Sequence, residues 1–255
     1  MTKALDLSDR WRYMNMAPNG AEWQELHSFP KDPFVITASS VGSMYPGIGF
    51  TSPAQMMRNY QNDNYEPKSF VATQHGHDNE PRAIESFLDN HPEFRVHQPG
   101  LLMDRERHWL GATTDGIAFR VGDPKLWNFE VKCPYSGTIP VNPQAIKPLY
   151  IIQTQIQMHV WGLKDTLFWV WTKTKAVLHH IPLNPKFIQL LLEDVEAFKI
   201  AIEKGQTETC CVKTPRFNEA LEETKKATKF VEYIDFEEKN NSMDTEKYIK
   251  NKMHL

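Results

Sequence analysis

The segment Leu126–Pro134 constrains the fold most strongly, because its side chains alternate between apolar and polar. In a β-strand, successive side chains point to opposite faces of the sheet. One face of this strand would be apolar and would be formed by Trp127, Phe129 and Val131. The other face would carry an amide, a carboxylate and an ammonium, from Asn128, Glu130 and Lys132. The pattern predicts a strand with one face in the core and a charged pair on the other.

A second carboxylate lies upstream, at Asp115 in the small-residue turn Thr113–Gly116. Such a turn could bring Asp115 beside Glu130. Two convergent carboxylates can hold Mg²⁺, and an adjacent lysine can activate water or neutralise developing charge, an arrangement suited to phosphodiester cleavage. The alternative is that Glu130 and Lys132 form an ion pair on a solvated strand, worth at most about 1 kcal/mol.

The composition narrows the class of protein. A chain of 255 residues with 40% hydrophobic content can bury a full core. Its net charge of −3 argues against a protein that binds nucleic acid over a generally basic surface. The same net charge is compatible with binding through a local basic patch. The three cysteines provide neither a disulfide framework nor a zinc spacing, and no segment resembles a membrane span or signal peptide. We therefore expect an intracellular protein without a membrane partner.

The first part of the chain predicts helices and a long loop. Helices are expected near residues 21–27 and 53–58, and the run 34–41 predicts a helix entry with Thr37 or Ser39 as N-cap. From Gly76 the periodicity becomes helical and sets Glu80 on the same face as an apolar stripe. The alternative for Glu80 is an acid in a first helical turn, favoured by the helix dipole.

The rest of the chain predicts strands and two further helices. Five strands over 94–98, 100–104, 109–112, 116–121 and 126–132 are separated by turn signals that favour an antiparallel meander. A helix is expected over 149–162, with Gln153 on its apolar side, then a strand pair over 167–171 and 176–183 and a helix over 185–204. Beyond Gly205 the charged, Lys/Glu-rich sequence predicts a loosely attached extension. The fold class is α/β (α+β).

Five short segments resemble the motifs of one known family, in the same order and spacing. They are Trp23–Leu26 with Ile36–Ser39, Gly76–Ala83, Thr113–Gly116, Glu130–Pro134 and Tyr150–Gln155. The chain resembles the lambda-type exonuclease (YqaJ-like viral recombinase) family of the PD-(D/E)xK nuclease superfamily. The resemblance implies a restriction-endonuclease-like core, with a central mixed or antiparallel sheet flanked by helices. The resemblance covers roughly residues 20–200. We expect one nuclease domain over residues 1–205, with a helical arm over 1–70, and a charged, partly helical extension over 206–255.

By this resemblance, the expected activity is Mg²⁺- or Mn²⁺-dependent degradation of linear double-stranded DNA from its 5′ end. The products would be 3′ overhangs for DNA recombination and repair by strand annealing. The expected partners are DNA ends, further copies of the chain in a trimer, and a single-strand annealing protein. The compartment would be the cytoplasm of a bacterial host, or the nucleus or cytoplasm of a virus-infected cell. The alternatives are a structure-specific or restriction-like endonuclease, an RNA-degrading relative, and a non-catalytic binding module.

The resemblance also implies roles for individual residues. Two metal ions would be held by Asp115, Glu130, the Val131 carbonyl and Glu80. Lys132 would position and help deprotonate the attacking water, and Gln153 would lie near the metal site and the scissile or terminal phosphate. The residues expected at the 5′-phosphate and the DNA are Ser39, Thr113, His27, Arg58 and Gln155. His27 stands where the family tends to place an arginine, so we expect a weaker, pH-dependent grip on the phosphate, or a contact from Lys31 or Arg58 instead.

Overall fold

The computed structural model describes residues 35–62, 70–209 and 211–237. The helix predicted near residues 21–27, His27 and Lys31 lie outside the described residues, as do residues 238–255. Within the described ranges, no helix combines the length and the apolar character needed to cross a membrane.

The described strands and helices follow one another in a mixed order. The strands are β1 Ile36–Thr37, β2 Phe94–His97, β3 Leu102–Met103, β4 Leu110–Ala112, β5 Gly116–Arg120, β6 Leu126–Lys132, β7 Asp165–Trp171, β8 Lys175–Pro182 and β9 Lys229–Asp235. The helices are α1 Ala38–Val41, α2 Pro53–Gln61, α3 Val71–Asn90, α4 Pro148–Trp161, α5 Pro185–Glu203 and α6 Pro215–Ala227. The predicted α/β (α+β) class, with a mixed central sheet flanked by helices, is confirmed.

The central sheet has six strands in the order β2-β5-β6-β7-β8-β9. All its pairs are antiparallel except β6 with β7, which run parallel. A parallel pair requires a crossover, and α4 supplies it. Since α4 connects the end of β6 to the start of β7, it lies against the polar face of β6 and can bring side chains to it.

The predicted antiparallel meander is only partly correct. β3 and β4 leave the central sheet and form a second sheet with β1, in the order β1-β4-β3. Both strands are buried along their whole length. Such short, wholly apolar strands can be covered on both faces, which favours their separate place beneath α1 and α4.

Two hydrophobic cores lie on opposite faces of the central sheet. The larger core joins the two sheets to α1, α2, α4, α5 and α6. The smaller core packs α3 against the sheet, with the Phe87 ring 4.5 Å from the Phe129 ring, centroid to centroid. The apolar face of β6, formed by Trp127, Phe129 and Val131, belongs to this smaller core, as its alternation predicts.

The prediction of a loosely attached extension after Gly205 is wrong for the described residues 206–209 and 211–237. Phe217 and Leu221 of α6 are buried in the larger core, and β9 pairs with β8 along the central sheet. Thr214 caps α6 by accepting a hydrogen bond from the Phe217 amide at 3.1 Å, which starts a helix that its charge-rich sequence partly conceals. The amphipathic spacing within this charged segment was the signal for packing.

An ion pair fastens the end of α3 to β9. The His91 imidazole pairs with the Glu232 carboxylate and also contacts the Phe87 carbonyl oxygen at 2.8 Å. Burial by itself lowers the pKa of His91, but Glu232, the Phe87 carbonyl and Glu93 outweigh burial and raise the pKa above its ordinary value of 6.5. The folded protein therefore binds this proton more tightly than the unfolded chain does.

This contact predicts a pH dependence of stability. The stabilisation from protonated His91 is complete below pH 6.5 and is lost as the pH rises through the higher pKa of the folded state. We expect Glu232→Gln to reduce the loss of unfolding free energy between pH 6 and pH 9, measured by urea denaturation. Glu85→Gln, on an exposed part of α3, is the matched control. An unchanged pH dependence in Glu232→Gln would contradict the role of the pair.

Candidate active site

The polar face of β6 lies beneath α4 and is buried. Asn128 is 0% exposed and Glu130 is 1% exposed. The hypothesis of an ion pair on a solvated strand is therefore wrong, because the Glu130 partner of Lys132 lies inside the protein. A buried carboxylate persists only when charges and hydrogen bonds compensate its lost hydration.

The Glu130 carboxylate receives three donors. Its Oε1 accepts from Lys132 Nζ at 2.5 Å and from Gln153 Nε2 at 2.6 Å. Its Oε2 accepts from Gln157 Nε2 at 2.6 Å. Gln153 and Gln157 are one helical turn apart on α4, so both amides project from the same side of the helix. The structure thus brings Glu130, Lys132 and Gln153 together.

Asp115 is placed beside Glu130 by the pairing of β5 with β6. The pair Gly116 and Phe129 is in register, so Asp115 and Glu130 are the next residues on the two strands. Asp115 Oδ2 accepts the Val131 amide proton at 2.7 Å, and the Thr114 hydroxyl lies 2.9 Å from the Phe129 carbonyl oxygen. A Cβ at position 116 would lie 2.3 Å from Val96 Cγ1, so a larger residue there would displace the Val96 side chain. These contacts fix the turn against β6.

Glu80, on α3, is the third acid of a cluster whose other members are Asp115 and Glu130, and the charges of these acids repel one another. Burial raises the pKa of Glu80, and the charge of Glu130 raises it further, while Lys132 lowers it. Burial raises the pKa of Asp115 well above its ordinary range, with repulsion from Glu130 and Glu80 adding to the effect. Burial and neighbouring like charges are the conditions that disfavour ionised acids. The ionised forms of Asp115 and Glu80 are therefore disfavoured in the absence of a further positive charge.

Lys132 is the cation of this cluster. Burial lowers the pKa of its ammonium, but the charges of Glu130 and Asp115 outweigh burial and raise the pKa. Its Nζ also lies 5.1 Å from the centroid of the Tyr150 ring, at the start of α4. Burial raises the pKa of the neighbouring Cys133 to about 12, helped by Glu80 and Asp115, so this thiol is a packing residue and a poor nucleophile.

The residues expected at a 5′-phosphate lie on separate elements of the fold. Ser39 is exposed in α1, with its Oγ 3.2 Å from Thr37 Oγ1. Thr113 is half-buried in the turn before Asp115. Arg58 is exposed on α2, where its Nη2 donates to Gln55 Oε1 at 3.0 Å. His27 lies outside the described residues.

The expectation that Gln155 contacts DNA needs correction. Its side chain is 0% exposed, donates to the Pro182 carbonyl at 2.9 Å, and accepts the Asn184 amide proton at 2.7 Å. It therefore connects α4 to the end of β8 and the start of α5. Because both ends of its amide are occupied by the backbone inside the core, Gln155 has a structural role.

Two residues behind Glu130, Gln157 and Asn128, were assigned no role from the sequence. Gln157 contacts Oε2 of Glu130, and its own Oε1 accepts from Asn128 Nδ2 at 3.0 Å. Gln157 could have been found from its spacing of one helical turn after Gln153. The strand alternation already placed Asn128 on the same face as Glu130, but its partner Gln157 comes from a different element.

The oxygen donors of this cluster are suited to a divalent cation. Mg²⁺ prefers carboxylate and carbonyl oxygens, and it is commonly held by one or two carboxylates together with substrate phosphates and water. Asp115 and Glu130 would provide two carboxylates, and an ion would relieve the repulsion that raises the pKa of Asp115. Across the described part of the chain, no group of three or more His, Cys, Asp or Glu side chains forms a ready-made metal cage. The donor set therefore fits an ion shared between the protein, water and a phosphate.

Comparison with known proteins identifies the relatives of this chain. The family described as "YqaJ-like viral recombinase domain" matches residues 22–164. The fold is similar to the crystal structure of an alkaline exonuclease (LHK-Exo) from Laribacter hongkongensis, with a TM-score of 0.60 and 23% identity, covering 73% of this chain and 94% of that chain. The structure of LHK-Exo in complex with dAMP gives a TM-score of 0.57 and 24% identity, covering 67% and 89% of the two chains. No individual curated protein matches the chain significantly.

Proposed function

Because the chain belongs to the YqaJ-like viral recombinase domain family, we propose that it is a metal-dependent exonuclease that degrades one strand of linear double-stranded DNA from the 5′ end. The observation that carries the proposal is the buried Glu130 carboxylate, held by Lys132 beside Asp115 and Glu80. Burial and like charge raise the pKa of Asp115 and of Glu80 beside Lys132, and ionisable groups perturbed in this way are typical of active sites. A non-catalytic binding module would gain nothing from this arrangement. The similar structures are those of an alkaline exonuclease, one of them in complex with dAMP.

The residues that would hold the metal are Asp115, Glu130 and the Val131 carbonyl, with Glu80 serving a second ion. When bound, Mg²⁺ or Mn²⁺ supplies Lewis-acid stabilisation of the phosphate and lowers the pKa of a water molecule. The Val131 amide holds Asp115 Oδ2, which leaves the other carboxylate oxygen of Asp115 available to a ligand. Gln153 and Lys132 both contact Glu130 Oε1 and thereby keep that carboxylate in a fixed orientation.

The protein residues would act on the phosphate by position and charge. The Lys132 ammonium is half-buried, so it can contact a phosphate or a water molecule at the surface of the cluster. Its positive charge would stabilise the negative charge that develops on the phosphate during in-line attack, and would orient the attacking water. Gln153 is also half-buried and can offer its second amide proton to a phosphate oxygen. Hydrolysis would release 5′-mononucleotides and leave a 3′ overhang for strand annealing.

The 5′-terminal phosphate is proposed to bind near Ser39 and Thr113. Thr113 begins the turn that carries Asp115, and its carbonyl oxygen accepts a hydrogen bond from Gln157 Nε2 at 2.9 Å, which fixes the turn against α4. Ser39 belongs to α1, which packs against α4. We expect the phosphate contact of His27 to be weak, because a histidine binds a phosphate less tightly than an arginine does and carries its positive charge only when it is protonated. A homotrimer around the DNA and a single-strand annealing partner are further parts of this proposal.

A degradation assay on matched DNA substrates tests the reaction class. We expect linear duplex to be degraded with Mg²⁺ or Mn²⁺, not with EDTA, and covalently closed circles to remain intact. Linear duplex with 5′-phosphate should be degraded faster than duplex with 5′-hydroxyl, by less than about tenfold if His27 makes only a weak contact. Cutting of closed circles would overturn the exonuclease in favour of an endonuclease with the same core. Degradation of RNA but not DNA would change the substrate class.

A further inference from the structure

Behind Glu130 lies a network of hydrogen bonds that is sealed from solvent. The network is formed by four side chains, each at most 1% exposed: Glu130, Gln157, Asn128 and Thr166. Gln157 Nε2 donates to Glu130 Oε2 at 2.6 Å and to the Thr113 carbonyl at 2.9 Å. Asn128 Nδ2 donates to Gln157 Oε1 at 3.0 Å and to Thr166 Oγ1 at 3.1 Å. None of these side chains can touch DNA directly.

The acceptors at one end of the network fix the orientation of both amides. An ionised carboxylate and a backbone carbonyl can only accept, so the NH₂ group of Gln157 must face Glu130 and Thr113. Gln157 Oε1 then faces Asn128, and Asn128 must present its own NH₂ group. In the opposite orientation, Gln157 Oε1 would lie against the Glu130 carboxylate, which is unfavourable.

This orientation leaves one buried atom unsatisfied. Asn128 Oδ1 is sealed from solvent and has no hydrogen-bond partner within the described structure. A buried acceptor without a partner costs free energy, and such costs are commonly retained at functional sites. An apolar side chain at position 128 would avoid the cost but could not hold Gln157. Together with the buried hydrogen bonds of Gln157, the unsatisfied Asn128 Oδ1 therefore indicates that the orientation of Gln157 matters for function.

The single NH₂ group of Gln157 connects the two segments that carry Glu130 and Asp115. Glu130 belongs to β6, whereas Thr113 begins the turn that carries Asp115. We propose that Gln157, locked by Asn128, is a positioning residue that sets the Glu130 carboxylate relative to Asp115. This inference rests on the proposed metal-dependent hydrolysis and deepens it. Outer partners of metal ligands commonly control affinity and activity in this way.

A pair of variants separates positioning from simple stability. Gln157→Met keeps the volume of the side chain but cannot donate a hydrogen bond. Gln155→Met is the matched control, since Gln155 is equally buried on the same helix and contacts only backbone groups away from the site. Three quantities are measured for each variant in the full chain: the melting temperature, kcat and KM on linear duplex with Mg²⁺, and the Mn²⁺ dissociation constant by electron paramagnetic resonance without DNA.

We expect Gln157→Met to lower kcat roughly 10- to 100-fold and to weaken Mn²⁺ binding at least several-fold. KM for duplex should change by less than about twofold, because Gln157 does not contact DNA. Gln155→Met should lower the melting temperature but leave kcat and Mn²⁺ binding within about twofold of the unchanged protein. If both variants lower kcat only in proportion to their loss of folded protein, the positioning role is overturned. Inactivity of the unchanged protein would instead defeat the proposed function, while the Mn²⁺ comparison would still test positioning.

A second variant covers the case in which Gln157→Met does not fold. Thr166→Val replaces the hydroxyl at the far end of the network with a methyl group of similar size. We expect kcat to fall by about threefold at constant KM, since Asn128 loses one of its two anchoring contacts. An unchanged kcat and an unchanged Mn²⁺ affinity in Thr166→Val would overturn the proposal.

Discussion

Lys132→Ala is expected to abolish hydrolysis of linear duplex DNA while the protein remains folded and still binds duplex. Lys132 Nζ lies 2.5 Å from Glu130 Oε1, and it is the only lysine that the structure as described brings into hydrogen-bonding contact with this carboxylate. Removing it takes away both the cation that stabilises charge on the phosphate and the group that orients the attacking water. Losing one such group typically costs 10² to 10⁴ in rate, so we expect kcat to fall at least about 10²-fold.

The control for this variant is Lys186→Ala. Lys186 is exposed in the first turn of α5 and donates no side-chain contact to the acid cluster within the described structure. Its replacement should leave kcat within about twofold, since isolated surface charges contribute little. Duplex binding by Lys132→Ala, measured by fluorescence anisotropy in Ca²⁺, should stay within a few-fold of the unchanged protein. Near-normal turnover in Lys132→Ala would show that the site is wrongly assigned.

Asp115→Asn is expected to abolish activity and, in metal-free buffer, to raise the melting temperature. Burial and repulsion from Glu130 and Glu80 raise the pKa of Asp115, so its ionised form opposes folding at neutral pH. An amide at this position keeps an oxygen that can accept the Val131 amide proton, and it removes the repulsion. Loss of one metal-holding carboxylate should lower kcat by at least about 10²-fold. Function would then have been retained here at the expense of stability.

The sign of the pH effect follows from the raised pKa of Asp115. Its acid form stabilises the folded protein at low pH, and this contribution is lost as the pH rises from the ordinary value of 3.8 through the higher pKa of the folded state. In EDTA, the melting temperature of Asp115→Asn should therefore exceed that of the unchanged protein most clearly at neutral pH. Asp123→Asn, at an exposed turn, is the control and should shift the melting temperature little. A lower melting temperature in Asp115→Asn at pH 7 would contradict the repulsion among the acids.

The strand that organises the site was predictable because alternation is a local property of the sequence. The pattern over Leu126–Lys132 placed Glu130 and Lys132 on one face and Phe129 in the core, and both placements hold. The burial of the polar face was not predictable, since it depends on α4 crossing over this face between β6 and β7. The ion pair that local reasoning assigns to solvent is thus enclosed by a tertiary contact.

The errors share a physical cause, which is that long-range packing decides what local patterns leave open. β3 and β4 are too short to carry an alternation, so only their partner β1 reveals that they form a second sheet. The segment after Gly205 is rich in charge, yet Phe217 and Leu221 at helical spacing are enough to bury one side of α6. Similarly, helical spacing places Gln153 and Gln157 on one side of α4, but it does not show that Glu130 lies under that side, because every side of this helix is largely buried.

The central claim is that the Glu130, Lys132 and Asp115 cluster hydrolyses linear duplex DNA from the 5′ end, and strand-specific label release tests it most directly. A linear duplex is prepared with a label at the 5′ end or at the 3′ end of the same strand, and mononucleotide release is followed with Mg²⁺. We expect the 5′ label to appear first, as a mononucleotide, and the 3′ label only after a delay that lengthens with the length of the strand. Early release of the 3′ label, or release of long labelled fragments, would contradict the account.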